Sequence, residues 1–386
     1  MCARLGQLLS ATVIAVALSG CGGGGVNNAG SVAPQTLATT AAASSSGSTA
    51  SNAPSVTDFQ RVASMLAAGQ RSDGAIPYTA TAVNPYFANI AATGAARTGT
   101  DLAGVRQWIA WYVLRSRDAN PWGIAGAITD YTILANGTLQ STGSADSVDA
   151  YAATFLTLVS TAWQYGDAAT RTYVQGLQTD VERIAAAIDA VTDVDGLTWA
   201  LPTYRTKYLM DATEVYAGYN DLAVLRSGAY GDAAGALGAS QRAAALRAAI
   251  VRTFWSSGRA AFATELDANG TLSWPQAGVW EDAMAQLAPI LHGVIAPSSS
   301  TAAGVYASFN AAFPSWTSLV KPDQYPWASV AFVALEMNDA ARAAAYRSAA
   351  DAAYSPQFAY PWYCAETGWY LRLIDGIVAP QTVAAD

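Results

Sequence analysis

The sequence predicts an all-α fold, an (α/α)6 toroid of six helical hairpins with short β-ribbons in its long rim loops. Three observations predict it. Apolar residues recur with helical period through 55–386, in roughly twelve segments. The links between segments alternate between short and long. Two of the long links share the pentapeptide Ala-Asn-Gly-Thr-Leu, at Ala135 to Leu139 and Ala268 to Leu272.

The helical segments begin near Thr57, Asn84, Asp101, Asp146, Ala168, Asp211, Ser240, Glu281, Ser300, Tyr325, Asp339 and Ala365. Alanine-rich stretches such as Gln241 to Ile250 and Ala340 to Ala353 are strong helix formers. After even-numbered segments the links are short, as at Gly166-Asp167 and Asn338-Asp339. Before even-numbered segments they are long and aromatic, as from Asp118 to Ala145 and from Gly258 to Trp280. Asn-Gly between short apolar runs is a strong hairpin signal, so both shared pentapeptides predict small β-ribbons. The spacing defines an internal repeat of about 55 residues. In a toroid built from it, even helices lie inside and odd helices outside. All long loops and all inner-helix N-termini then gather on one rim. A helical solenoid is the rival architecture, and the uneven loops do not permit its regular stacking.

Apolar residues make up 52% of the chain and charged residues 12%, so there is ample material for a core. The net charge of −8 lacks the basic footprint that neutralises phosphates, which argues against nucleic-acid binding. Twelve Trp and nineteen Tyr against nine Phe favour rings with a polar edge, the kind used on wet binding surfaces.

At the N-terminus, Arg4 precedes an apolar run from Leu8 to Leu18, too short to span a bilayer, and then Leu18-Ser19-Gly20-Cys21. Those four residues resemble the lipobox of bacterial lipoproteins. The resemblance implies a signal peptide over 1–20, a lipidated Cys21 and a membrane anchor in the cell envelope. The absence of Asp after Cys21 fits an outer-membrane destination. Residues 21–54, rich in Gly, Ser and Ala, read as a flexible tether to a folded domain over 55–386. Cys2 leaves with the signal peptide and Cys21 takes lipid. Cys364 is then alone, and no disulfide forms within the domain.

The predicted rim is rich in acids and aromatics. The inner helices open with Asn84-Pro85-Tyr86-Phe87; Asp146-Ser147-Val148-Asp149-Ala150-Tyr151; Asp211-Ala212-Thr213-Glu214, with Tyr219 following; Trp280-Glu281-Asp282; Tyr325-Pro326-Trp327; and Cys364-Ala365-Glu366. Aromatic faces stack on sugar rings and carboxylates bind hydroxyls or move protons, so a carbohydrate is the expected partner. Further candidate substrate contacts are Asp73, Tyr78, Trp122, Trp199, Tyr208 and Trp362. A structural alternative stands beside this. Asp146-x-x-Asp149 and Asp211-x-x-Glu214 have capping-box spacing, in which both acids merely satisfy backbone N–H groups.

The arrangement resembles the six-hairpin glycosidase superfamily, whose members hydrolyse glycosidic bonds with paired carboxylates on such a rim. The stretch from Asp146 to Phe155 is similar to the acid-rich inner helix of family 8 endoglucanases. Those enzymes carry a glutamate general acid in the first hairpin, whereas Arg71 to Phe87 here has Asp73 and no glutamate. Hydrolysis needs two carboxylates flanking the bond. The expected pair takes one from Asp146 or Asp149 and one from Asp211 or Glu214, with Glu366 and Asp282 in reserve and Glu214 as the proton donor.

A single histidine, His292, excludes a histidine-cluster metal site, and it falls at the helix end away from the rim, where the dipole favours its charge. No glycine-rich phosphate loop is present, and no cofactor or metal is expected. The expectation is a monomeric, lipid-anchored glycoside hydrolase. Its rivals are a non-catalytic glycan-binding lipoprotein and a uronic-acid lyase or epimerase using tyrosines with Arg205 or Lys207.

Overall fold

The computed structural model describes residues 56–378. The expected signal peptide, lipidated Cys21 and 21–54 tether lie outside the described residues. Helices α1 (Val56–Gly69) and α2 (Pro85–Thr98) form the first hairpin, and α3 (Leu102–Arg115) and α4 (Asp149–Tyr165) the second. The third pairs a broken outer element, α5 (Ala168–Gln175) and α6 (Gln178–Asp189), with α7 (Leu209–Val224). The remaining three are α8 (Ala233–Phe254) with α9 (Trp280–Leu291), α10 (Ser300–Ala312) with α11 (Ala328–Glu336), and α12 (Ala340–Tyr354) with α13 (Cys364–Val378).

The inner ring closes. Helix α13 packs on α2, α2 on α4, α4 on α7, α7 on α9, α9 on α11, and α11 on α13 again. Each outer helix lies against the inner ring, so the (α/α)6 toroid holds. In this order α7 stands opposite α13, and α4 opposite α11. The α2–α13 seam is the tightest: a Cβ built on Gly94 would lie 2.3 Å from the Gly368 carbonyl oxygen. Only glycine allows the two backbones to approach this closely, which explains a glycine in the middle of each helix despite its propensity cost.

The outer helices announce their starts chemically. Asp101, Asp167, Asp232, Ser299 and Asp339 each precede a helix, and each accepts an N–H from its first turn. Three boundaries differ from expectation. The Asp232 cap starts α8 seven residues before Ser240, through Gly235 and Gly238, which read as loop in sequence. Trp327 has φ 62°, a left-handed conformation that cannot continue a helix, so α11 begins at Ala328 rather than Tyr325. The outer segment from Ala168 breaks at Gly176-Leu177.

Both Asn-Gly turns form ribbons. Strands β2 (Tyr131–Ile133) and β3 (Leu139–Ser141) pair antiparallel around one, and β7 (Glu265–Leu266) and β8 (Leu272–Ser273) around the other. Each ribbon gains a third strand from an earlier loop: β1 (Ala82–Val83) pairs with β2, and β4 (Lys207–Tyr208) with β7. The ribbons therefore tie separate rim loops together. A further ribbon, β5 (Trp255–Ser256) with β6 (Ala261–Phe262), closes the end of α8. Among the described residues no helix is long and apolar enough to cross a membrane.

Candidate active site

Five carboxylates from α4, α7 and the adjoining loops share one end of the ring. Asp149 is the first residue of α4 and fully buried; its Oδ2 accepts the Thr198 hydroxyl at 2.5 Å and its Oδ1 the Ala150 N–H at 2.9 Å. Burial pushes it up to about 7. Asp211 is the third residue of α7, and neither of its buried oxygens has a hydrogen-bond partner among the described residues. Burial, then the neighbouring Asp149 and Glu214 charges, drive it well above the ordinary carboxyl range. Glu214 lies one turn further along, with Oε1 accepting the Tyr86 hydroxyl at 2.5 Å and Oε2 buried and unpaired. Burial pushes it up to about 8. Asp146, half-buried just before α4, adds its field to Asp211, Glu214 and Asp130.

The capping box does not describe Asp211 and Glu214, whereas Asp149 does accept a first-turn N–H, that of Ala150. Helix α7 starts at Leu209, two residues before Asp211, and α4 starts at Asp149 after Val148; neither helix has a side-chain cap from its N-cap residue. Glu366 does cap a helix, though not its own. From the third position of α13 its two oxygens accept the N–H groups of Trp327 (3.0 Å) and Ala328 (2.7 Å) at the start of α11. Burial pushes Glu366 up to about 7, while these N–H groups and Lys321 favour its ionised form. Lys321, lowered to about 8 by burial, donates to the carbonyl oxygens of Asp323 and Tyr325 and lies 5.1 Å from the Trp280 ring centroid.

An arc of rings joins α4 to α13. Tyr151 stacks on Tyr86 at 6.0 Å, Tyr86 meets Phe87 at 5.4 Å, and Phe87 meets both Tyr78 (4.9 Å) and Tyr363 (5.0 Å). Tyr363 then meets Tyr325 at 5.5 Å, and Tyr325 meets the exposed Tyr360 at 6.2 Å. Tyr151 is fixed in this arc: its hydroxyl donates to Asp130 at 2.9 Å and accepts from Asn84 at 2.8 Å. Burial pushes Asp130 up to about 7 and Tyr78 up to about 12.

The arc gathers Tyr78, Tyr86, Tyr151 and Tyr325 from the sequence-predicted set. Other predicted residues are placed elsewhere. Asp73 is exposed, paired with Arg71 at 3.1 Å, and accepts the Ala75 N–H in its own turn. Trp122 sits in the turn that Asn120 organises. Trp199 has Arg205 over its ring at 4.4 Å, and Tyr208 hydrogen-bonds Tyr204 at 3.1 Å. Tyr219 donates to Asp189 of the outer helix α6. Trp280 packs against Phe309 and Phe313, and Trp362 donates to Thr367 within a cluster with Phe358 and Tyr370. Glu281 is half-buried near Lys321, and Asp282 accepts the Gln276 N–H at 2.8 Å. Trp327 supplies its backbone N–H to Glu366 and its indole N–H to Asp323.

Sequence reasoning missed Asp130, Tyr360, Tyr363 and Lys321. Tyr363 precedes Cys364 at the head of α13, so reading one residue back from each inner helix finds it. Asp130 carries no such signal, because only the β-ribbon brings it to Tyr151. Lys207 is buried and held by Asp193 (2.6 Å) and Asp195 (2.7 Å), so its charge is already matched. His292 caps α9 at the opposite end of the ring, where burial and Arg372 lower it to about 3, overriding the helix dipole and keeping it neutral. No group of three or more metal-ligating side chains is present among the described residues.

No protein-family model matches the sequence, and no curated protein matches it. Solved structures do share the fold. A wild-type glycosidase aligns with a TM-score of 0.57 at 15% identity, over 84% of this chain and 99% of that one. An uncharacterised conserved protein from Thermus thermophilus aligns with a TM-score of 0.60 at 11% identity, over 84% and 99%. The GH63 mannosylglycerate hydrolase of the same organism, in complex with glucose, aligns with a TM-score of 0.59 at 10% identity, over 82% and 99%. At these identities the likeness establishes the fold alone, an (α/α)6 toroid.

Proposed function

We propose that the protein is a glycoside hydrolase that cleaves a poly- or oligosaccharide at the carboxylate rim, with Asp211 as proton donor and Glu366 as base. One observation carries this reading. Asp211 and Glu366 are buried carboxyls at the same third position of helices that face each other across the ring, and among the described residues only Glu366 has hydrogen-bond donors to its oxygens. Asp211 has no hydrogen-bond donor to stabilise a charge and sits beside Asp149 and Glu214, so burial and like charges favour its protonated form. Two backbone N–H groups and Lys321 favour the carboxylate of Glu366, as a base requires. Acids on opposite helices approach a sugar from opposite sides, as hydrolysis by two flanking carboxylates requires. Asp149 and Glu214 then act through Asp211, by making its ionisation costly. That solved structures of this fold include glycosidases supports a hydrolase reading in general.

The bond-breaking step follows. Asp211 passes its proton to the glycosidic oxygen as the bond to the anomeric carbon breaks. Glu366 takes a proton from the water that attacks that carbon, and the aromatic arc holds the sugar rings. Cys21 lipidation would keep this domain at the membrane surface; loss of fatty-acid labelling in Cys21→Ala tests that part.

New reducing ends, measured over a panel of neutral and acidic polysaccharides, test the chemistry. Asp211→Asn and Glu366→Gln should each lower release by ~10²–10⁴-fold. Full activity in either variant removes that residue from its role, and loss confined to Glu214→Gln moves the donor to Glu214. Retention on a glycan without any release would make the protein a glycan-binding module.

A further inference from the structure

The ring axis is hollow beyond the acid cluster. A cavity of about 290 Å³ runs along it toward the C-terminal ends of the inner helices, and exposed Gln164 and Tyr165 frame its mouth. This is the end away from the long loops. Glu214, a residue only 4% exposed, separates it from the rim, with Oε1 accepting the Tyr86 hydroxyl and Oε2 sealed from the void; Thr93, Thr161 and Arg372 supply polar groups to the wall. Polar groups of this kind around a void are filled by something that hydrogen-bonds.

The wall specifies what that is. The hydroxyls of Thr93, Thr154 and Thr161 each donate to the carbonyl four residues back, at 2.7 to 2.8 Å. Their protons are thus committed; Thr154 Oγ1 also accepts the Asn89 amide N–H at 3.1 Å, so the lone pairs of Thr93 and Thr161 are the ones left for a donor. Arg372 supplies the opposite polarity. Its guanidinium lies over the Phe332 and Trp369 rings, at 4.5 and 4.1 Å from their centroids, and makes no hydrogen bond among the described residues. The other charges disfavour an anion: Asp375 already pairs with Arg97 at 2.8 Å, and Asp221 and Glu336 act on Arg372. The volume is at the low end of small-molecule sites, room for one sugar ring or about ten waters.

We infer that this axial cavity is a binding site for an uncharged polyol of about one sugar ring, entered from the face opposite the carboxylate rim. The ligand's hydroxyls donate to the oxygens of Thr93 and Thr161 and accept from Arg372. The inference stands whether or not the rim hydrolyses a glycan.

Calorimetric titration of the full-length protein with glucose, myo-inositol, glycerol and glucuronate tests it. At least one of the neutral compounds should bind saturably at one site. Ala217→Phe places a ring in the cavity and should weaken that binding at least tenfold with an unchanged melting temperature, while Asp211→Asn leaves it intact. Should Ala217→Phe not fold, Thr161→Val removes one acceptor at nearly constant volume and should weaken binding severalfold. Three results overturn the inference: no uptake of any neutral polyol, undiminished affinity in the cavity variant that folds, or a preference for glucuronate.

Discussion

The two sets of helix N-termini in this toroid are built differently. Five outer helices, α3, α5, α8, α10 and α12, start on an Asp or Ser whose side chain accepts an N–H from the first turn. Of the inner helices, α2 has such a cap in Asn84, but α4, α7, α9 and α11 have none. Their acids lie inside the helix or reach across to another one. Outer termini end locally, in their own sequence. Inner termini are held by the ring, and their acids are left to act on one another and on whatever enters the rim. Acids that look alike in sequence therefore hold their own helix end at one end of the toroid, while at the other Glu366 caps a neighbouring helix and Asp211 caps none.

Three substitutions break or sharpen this contrast. The largest effect should come from Gly94→Val, which drives a branched side chain into the Gly368 backbone and removes the packing that stands in for caps. A loss of ~3 kcal/mol, the upper end of overpacking costs, is expected in denaturant unfolding; a change below ~1 kcal/mol would mean the inner ring does not depend on that seam.

The second effect has the opposite sign. Asp149, Asp211 and Glu214 all titrate above their ordinary values of 3.8, 3.8 and 4.5 in the folded protein. The folded state therefore keeps protons that the unfolded chain has released. The stability they confer is complete below about pH 4 and is lost as pH rises toward 7 to 8. Melting temperature should fall between pH 5 and 8. Asp211→Asn should flatten the fall and gain ~1–3 kcal/mol at pH 8, the cost of an unsatisfied buried group. An unchanged slope in that variant would show that Asp211 ionises freely.

The smallest effect belongs to an outer cap. Ser299 accepts the Ala302 N–H at 3.1 Å, and Ser299→Ala should cost about 1 kcal/mol at any pH. Glycan turnover should not change. A pH-dependent loss would blur the distinction between the two ends.

The outer termini were also the more legible. Asp101, Asp339 and their counterparts are caps by composition and spacing alone, because a cap bonds only within its own turn. The Asn-Gly ribbons were legible for the same reason. At the rim, sequence placed Asp149, Asp211 and Glu214 near inner-helix starts but could not separate cap from functional acid, since a shift of two or three residues in the helix start decides it. It ranked Glu366 as a reserve, because nothing local says that α13 faces α7. The tryptophans misled most: Trp280 and Trp362 occupy loop-flanking positions, yet both are buried against neighbouring aromatics. Tyrosines make the arc instead.

What the sequence determined by itself is the hairpin count, the alternation of links and the chemistry gathered on one rim. These depend on periodicity and on contacts within a few residues. The tertiary structure alone decided which acids face each other, which rings are continuous and that the axis holds a polar cavity. Those follow from closing the ring, where Gly94 meets Gly368 across 274 residues of chain, and no local pattern encodes an approach between segments so far apart.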